Sequence, residues 1–311
     1  MFYKPEGIGP AMLTSFNDDG SINKEVMGDI VDFCINSGCK MLFAVSSVGE
    51  FVHMETDQAC ELMKTVKDAA GDRVPVLAGV TASHIEKSIE FAKYAREIGC
   101  KGIVCSPPYY YTVTQDMIER HYEMLAEAVP DMSIVMYNIP LFSTPLSYDL
   151  VKRVSQIPNV VAMKDSSGSM VDFIHFMDKV RLVGSGINVL SGREDIVFPA
   201  TMLGGKGAMV GTATIFPEII VKIYNATLAG DYDTARNLQF AICLAIRTMF
   251  SVPFPLGFKA AMEVRGFRMG PQKAALTDAD MIKAEAVRKR LHDILSELCE
   301  YADIPLIRGR G

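Results

Sequence analysis

The sequence predicts an α/β protein, a (β/α)8 TIM barrel with a C-terminal helical extension. Short apolar or β-branched runs alternate with longer amphipathic segments. Eight such runs recur about every 28 residues, the length of one strand, one helix and two loops. No break interrupts the series, so parallel strands with right-handed crossovers are expected to close on themselves. An open doubly wound sheet is the alternative.

The predicted strands are residues 8–13, 41–45, 76–79, 102–105, 134–137, 160–163, 187–190 and 207–210. Between them, Ser83 and Glu86 have capping-box spacing. Ile85, Ile89 and Ala92 then share one helix face, and Gly99 ends that helix. Thr114 is the expected cap of a second helix whose apolar stripe is Ile118, Tyr122, Leu125 and Val129. Leu62, Met63, Val66 and Ala69 line another helix that stops before Gly71. The barrel is expected to occupy residues 1–230. Residues 231–311 read as the extension, with helices at 232–251, 256–264 and 278–301, able to cover a barrel face or build an oligomer contact.

Composition narrows the function classes. Hydrophobic residues are 49% and charged residues 22% of the chain, as in an ordinary globular protein. A net charge of −6 argues against a general nucleic-acid or anionic-membrane surface. No apolar run is long enough to span a bilayer, and the N-terminus lacks the pattern of a secretory leader, so a cytoplasmic location is expected. The 7 cysteines contain no Cys-x-x-Cys and read as reduced core thiols. The 5 histidines form no pair at ligand spacing, so no metal site is expected. Gly7-Ile8-Gly9 opens a strand rather than following one, which excludes a dinucleotide fingerprint. Leu203-Gly204-Gly205-Lys206-Gly207 lacks phosphate-loop spacing, and Ser46-Ser47-Val48-Gly49 lacks the first glycine of a nucleophile elbow.

In a barrel of this kind chemistry sits where the strands end. Lys164 follows Val160-Val161-Ala162-Met163, a run expected to be buried on both sides. Burial there disfavours the ammonium form and leaves an amine able to attack a ketone and form a Schiff base. The structural alternative is a lysine that reaches solvent or pairs with Asp165. Tyr137 ends the neighbouring strand, where a phenol can pass protons; otherwise it is a core aromatic. Ser47 and the amides after it form a candidate carboxylate or relay site, or else an ordinary loop.

With these positions in place, the sequence resembles the dihydrodipicolinate synthase / N-acetylneuraminate lyase family, from Gly7 to about Gly270. The matching pieces are Ser47-Val48-Gly49-Glu50, Pro108-Tyr109-Tyr110, Tyr137-Asn138-Ile139-Pro140, Lys164-Asp165-Ser166-Ser167-Gly168, Leu203-Gly204-Gly205-Lys206-Gly207 and Phe258-Lys259-Ala260-Ala261. The resemblance implies a (β/α)8 class I aldolase that binds pyruvate or another 2-oxo acid. It implies that Lys164 forms the imine, that Tyr137 is the general acid/base, and that Ser47 links its hydroxyl to Tyr110 of a neighbouring subunit. A homodimer or homotetramer is then expected. No cofactor is implied, because the lysine imine is the electron sink.

The amides around Ser47 and Val48 would hold the substrate carboxylate, with Ser46 assisting. Val48 replaces a second hydroxyl residue common in the family, a loss of about 1 kcal/mol if uncompensated. Phe142 stands where the synthase carries an arginine for the second substrate's carboxylate, and an apolar ring cannot replace that cation. Glu194, Asp195 and Thr212 lie where the sialic acid lyase contacts its polyol chain, or else begin a helix. Gly192 and Met209, from the seventh and eighth strands, complete the candidate pocket.

The expected function is therefore a lyase that reversibly cleaves a 2-keto-3-deoxy sugar acid or similar 4-hydroxy-2-oxo acid to pyruvate and an aldehyde. The alternatives are dihydrodipicolinate synthase or a dehydratase using the same imine, and a non-catalytic 2-oxo-acid binding protein.

Overall fold

The structure, a computed structural model, describes residues 2–309. Met1, and Arg310 and Gly311 at the end of the predicted extension, lie outside the described residues. Eight parallel strands form one sheet: β1 (Gly7–Pro10), β2 (Leu42–Ala44), β3 (Val76–Gly79), β4 (Gly102–Cys105), β5 (Ser133–Asn138), β6 (Val160–Asp165), β7 (Asn188–Ser191) and β8 (Gly207–Val210). Neighbours follow chain order, with β1 paired to β8. At the remaining seam, Ala11 bridges Phe43 and the Met12 N–H donates to the Phe43 carbonyl at 3.0 Å, which brings β1 back to β2. The chain is a TIM barrel.

Strand interiors are buried on both faces, which explains their continuous rather than alternating apolar sequence. Helices α1 (Lys24–Asn36), α2 (Thr56–Ala70), α3 (Ile85–Glu97), α4 (Gln115–Ala128), α5 (Tyr148–Val154), α6 (Met170–Leu182), α7 (Val197–Met202), α8 (Thr212–Ile215) and α9 (Pro217–Leu228) lie between and after the strands. As predicted, the Thr114 hydroxyl accepts the Met117 N–H at 3.2 Å, and Ile118, Tyr122, Leu125 and Val129 of this helix face are buried. The capping box at Ser83 does not form. His84 occupies the cap in extended conformation, the helix starts at Ile85, and Glu86 turns to the His84 ring at 3.2 Å.

Helices α10 (Tyr232–Met249), α11 (Leu256–Val264) and α12 (Asp278–Ala302) follow. α10 packs on α9, and α11 packs on α8 near the mouth of the barrel. The 7 cysteines are free thiols. Among the described residues no helix is long and apolar enough to cross a membrane.

Candidate active site

Tyr137 and Lys164 are register partners on β5 and β6, so both side chains leave the sheet on the same face at the same height. Lys164 lies within its strand rather than after it, because β6 runs on to Asp165. Its amine is 3% exposed as a residue and sits 4.1 Å from the Tyr137 ring centroid and 4.9 Å from that of Phe43. Phe43 and Tyr137 meet edge to face at 6.4 Å. The amine therefore stands in an aromatic box that excludes most water.

Asp165 does not pair with Lys164. Its carboxylate accepts the Asn138 amide at 2.7 Å and the Ser167 hydroxyl at 2.8 Å, and Asn138 is its register partner one residue beyond the Tyr137–Lys164 pair. The Asn138 side-chain Oδ1 in turn accepts the Leu146 N–H at 3.0 Å. This chain locks the tips of β5 and β6 together. Burial pushes the Asp165 carboxyl above its ordinary range, against the lowering pull of those hydrogen bonds.

Above the amine is a cavity of about 80 Å³. Lys164, Tyr137, Ser47, Val48, Gly192, Met209, Phe142 and Glu194 of the predicted set line it. Ser46, Asp195, Thr212 and Tyr110 are outside this lining. Ser46 is spent on the backbone: its hydroxyl donates to the Met12 carbonyl at 2.9 Å and accepts the Gly49 N–H at 3.2 Å. Thr212 is fully buried, with its N–H donating to the Glu194 carboxylate at 3.4 Å. Burial pushes the Glu194 carboxyl upward, toward its neutral form. Asp195 pairs with Arg193 at 2.9 Å. Tyr110 is 87% exposed and borders an adjoining cavity of about 320 Å³, which shares Ser47 and Phe142 with the first.

The loop after β2 is bent by Val45, whose φ of 57° is a strained, left-handed conformation for a β-branched residue. The Gly49 and Glu50 N–H groups close back on the Ser46 and Ser47 carbonyls. The N–H groups of Ser47 and Val48 have no acceptor among the described residues. Two unspent donors at the cavity wall suit a carboxylate. The loop is pinned by a buried ion pair from Glu50 to Lys259 of α11 at 2.9 Å.

Sequence reasoning did not single out Ser166, Arg193, Phe250, Phe254 or Phe258 as cavity residues, and all five line it. The Ser166 hydroxyl is 3.5 Å from the Tyr137 phenol and donates to the Gly192 carbonyl at 3.1 Å. No hydrogen bond joins Ser47 to Tyr137 among the described residues. The available signal was position: Ser166 directly follows β6, Arg193 comes two residues after the end of β7, and the three phenylalanines are spaced by four.

Gly192 is required by close approach. A Cβ there would collide with the Ser166 hydroxyl and lie 2.9 Å from the Lys164 Cε. Among the described residues no group of three or more His, Cys, Asp or Glu side chains is placed to hold a metal ion.

Comparison with known proteins adds three findings. A model of the dihydrodipicolinate synthetase family matches residues 4–296. A 4-hydroxy-tetrahydrodipicolinate synthase of Methanospirillum hungatei is 28% identical over 94% of this chain and 98% of its own, and one of Caldicellulosiruptor saccharolyticus is 30% identical over 93% and 96%. Among solved structures, YagE, an E. coli K12 prophage protein of the dihydrodipicolinic acid synthase family in complex with pyruvate, superposes with a TM-score of 0.86 at 26% identity, covering 94% of this chain and 98% of YagE.

Proposed function

The chain belongs to the dihydrodipicolinate synthetase family, whose enzymes are class I pyruvate-dependent carbon–carbon lyases, and we propose that it reversibly cleaves a 2-keto-3-deoxy sugar acid or similar 4-hydroxy-2-oxo acid to pyruvate and an aldehyde. The family works through a covalent lysine Schiff base without a cofactor. The observation that carries the reading for this chain is the buried Lys164 amine on the face of the Tyr137 ring, opening into a cavity lined by both.

In this reading the Lys164 amine attacks the C2 ketone, the Tyr137 phenol gives its proton to the departing hydroxyl so that water leaves, and a protonated imine and a Tyr137 phenolate remain. The Tyr137 phenolate takes the proton of the C4 hydroxyl. The C3–C4 bond breaks, the aldehyde departs, and the bonding electrons move into the imine to give an enamine. Tyr137 returns its proton to C3, and water releases pyruvate from Lys164. The free amides of Ser47 and Val48 hold the substrate carboxylate. The 3.5 Å approach of Ser166 to the phenol makes it a proton-relay partner beside Ser47.

Tyr110 borders the adjoining cavity, with Ser47 and Phe142, and does not line the cavity above Lys164. It is a strongly exposed aromatic with a φ of 82°, packed edge to face against the equally exposed Tyr111 at 5.1 Å. We read it as the residue that one subunit lends to its neighbour's site in a homodimer or tetramer.

The synthase named for the relatives is the second reading, favoured by those names alone. Phe142 stands against it, because it faces the cavity and packs on Phe254 at 5.8 Å, so position 142 itself carries no guanidinium. Product analysis on a panel of 2-keto-3-deoxy acids, sialic acid, and aspartate semialdehyde with pyruvate tests the choice. Pyruvate release from a 4-hydroxy-2-oxo acid is expected. Consumption of aspartate semialdehyde alone would overturn the proposal, and retention of the carbon skeleton would identify a dehydratase.

A further inference from the structure

Much of the cavity wall is built of rings. Phe142, Phe250, Phe254 and Phe258 form a connected cluster, with Phe254 packed against the other three at 5.6 to 6.2 Å. A polyol tail needs several hydrogen-bonding partners, and these rings offer none. Apart from Ser166, the polar side chains lining the cavity beyond Lys164, Tyr137 and Ser47 are Arg193 and Glu194.

Arg193 follows β7 and is next to Gly192, whose backbone touches the Lys164 side chain. Its guanidinium carbon lies 5.1 Å from the Phe250 ring centroid, so one face is supported by an aromatic. One terminal nitrogen is held by Asp195 at 2.9 Å. The Nε–H is buried with no acceptor among the described residues. A guanidinium carries five N–H donors, and here the protein takes up only the nitrogen facing Asp195. The side chain is about a third exposed and lines the cavity. Glu194 accepts the Thr212 N–H at 3.4 Å, and burial pushes its carboxyl upward.

We infer that Arg193 forms an anion subsite at the aldehyde end of the cavity, so that the substrate is a 4-hydroxy-2-oxo acid whose aldehyde half carries a second anionic group. The inference rests on the Schiff-base reading of Lys164 and narrows its substrate class. The Phe250 ring covers one face of the guanidinium, and a cation held there prefers a charged acceptor to a hydroxyl. The cation absent at position 142 is thus supplied from a different strand end, after β7 rather than β5. A carboxylate and a phosphate ester share the chemistry that Arg193 recognises.

Condensation with pyruvate is the direct test. Aldehydes of equal length ending in a carboxylate, a phosphate or a neutral hydroxymethyl group are compared by kcat/KM, in the wild type and in Arg193→Gln and Arg193→Lys. The better of the two anionic aldehydes is expected to exceed the neutral one by about ten- to a hundredfold, and it identifies the anion. Arg193→Gln is expected to collapse that ratio toward one, and Arg193→Lys to retain part of it. A purely structural role for Arg193 would lower all aldehydes together and leave the ratio intact, which overturns the inference. So does a wild type that prefers the neutral aldehyde. If pyruvate gives no borohydride-trapped adduct on Lys164, the Schiff-base reading falls and this inference with it. An intact adduct without anion preference sinks this inference alone.

Discussion

Tyr137 and Lys164 face each other as register partners on β5 and β6, with the amine 4.1 Å from the ring centroid. The alignment comes from backbone pairing, and the Asn138–Asp165 bond one residue further on clamps it. Two groups that must meet at one carbon framework are thereby placed by the sheet rather than by flexible loops.

Tyr137→Phe tests the division of labour in this pair. The ring stays against the amine, and only the phenol is lost. We expect pyruvate still to form an adduct with Lys164, while turnover falls by about 10²–10⁴. Single-turnover and steady-state kinetics on the same preparation check this. Unchanged turnover would remove Tyr137 from the proton transfers.

Gly192→Ala places a methyl group against the Ser166 hydroxyl and the Lys164 side chain. A displacement of that kind near the reacting atom is expected to lower kcat/KM by about a hundredfold. Circular dichroism and thermal melting should show the barrel intact. Full activity in the variant would mean that the site tolerates what the geometry forbids.

How much of this was legible in the sequence follows from where each residue sits. β3, β4 and β8 match their predicted ranges, because Gly, Pro, Ser or Lys punctuates the ends of these short apolar runs. β5 and β6 extend through Asn138 and Asp165, whose polarity hid two strand positions that the sheet satisfies with a mutual hydrogen bond. Lys164 and Tyr137 were legible because strand ends in a barrel converge. Ser47 was singled out and lines the cavity, whereas Ser46, expected to assist, does not: the left-handed turn at Val45 lies just before both. The phenylalanine wall comes from Phe250 at the end of α10, Phe254 in the following loop and Phe258 in α11. No local pattern tells which side of those helices meets the barrel mouth, since that is settled by their packing on α8 and α9.

The Glu50–Lys259 ion pair ties the Ser47 loop to α11. Both side chains are almost fully buried. The Lys259 amine also donates to the Pro271 carbonyl at 2.8 Å, and the second Glu50 oxygen accepts the Lys273 N–H at 3.0 Å. Lys259→Met alone strands a buried carboxylate and is expected to cost about 3–5 kcal/mol in urea unfolding. Adding Glu50→Gln should recover much of that loss. Strict additivity of the two would show that the groups do not interact.

His121 on α4 gives a pH signature. Its Nε2 is 3.4 Å from the Cys105 sulfur, and burial pulls it down to about 4 from the ordinary 6.5. The unfolded chain therefore takes a proton below about pH 6.5 that the folded chain refuses until about pH 4. The resulting stability is complete above pH 6.5 and is lost as pH falls through that window, by about 3 kcal/mol for this group. His121→Gln should flatten that part of the urea-midpoint profile between neutral and mildly acidic pH. A parallel profile in the variant would assign the slope to other groups.

Tyr110 predicts complementation between chains. Lys164→Ala and Tyr110→Phe, each poorly active alone, are expected to regain activity when refolded together, because some hybrid sites then hold both native residues. Absence of recovery in demonstrated hybrid oligomers would place Tyr110 outside the neighbour's site.

Borohydride reduction in excess pyruvate, followed by peptide mass mapping, addresses the imine itself. The expected result is one stable adduct, located on Lys164, that is absent in folded Lys164→Ala. A folded wild type that forms no adduct, or forms it on another lysine, would contradict the assignment of Lys164 as the Schiff-base residue.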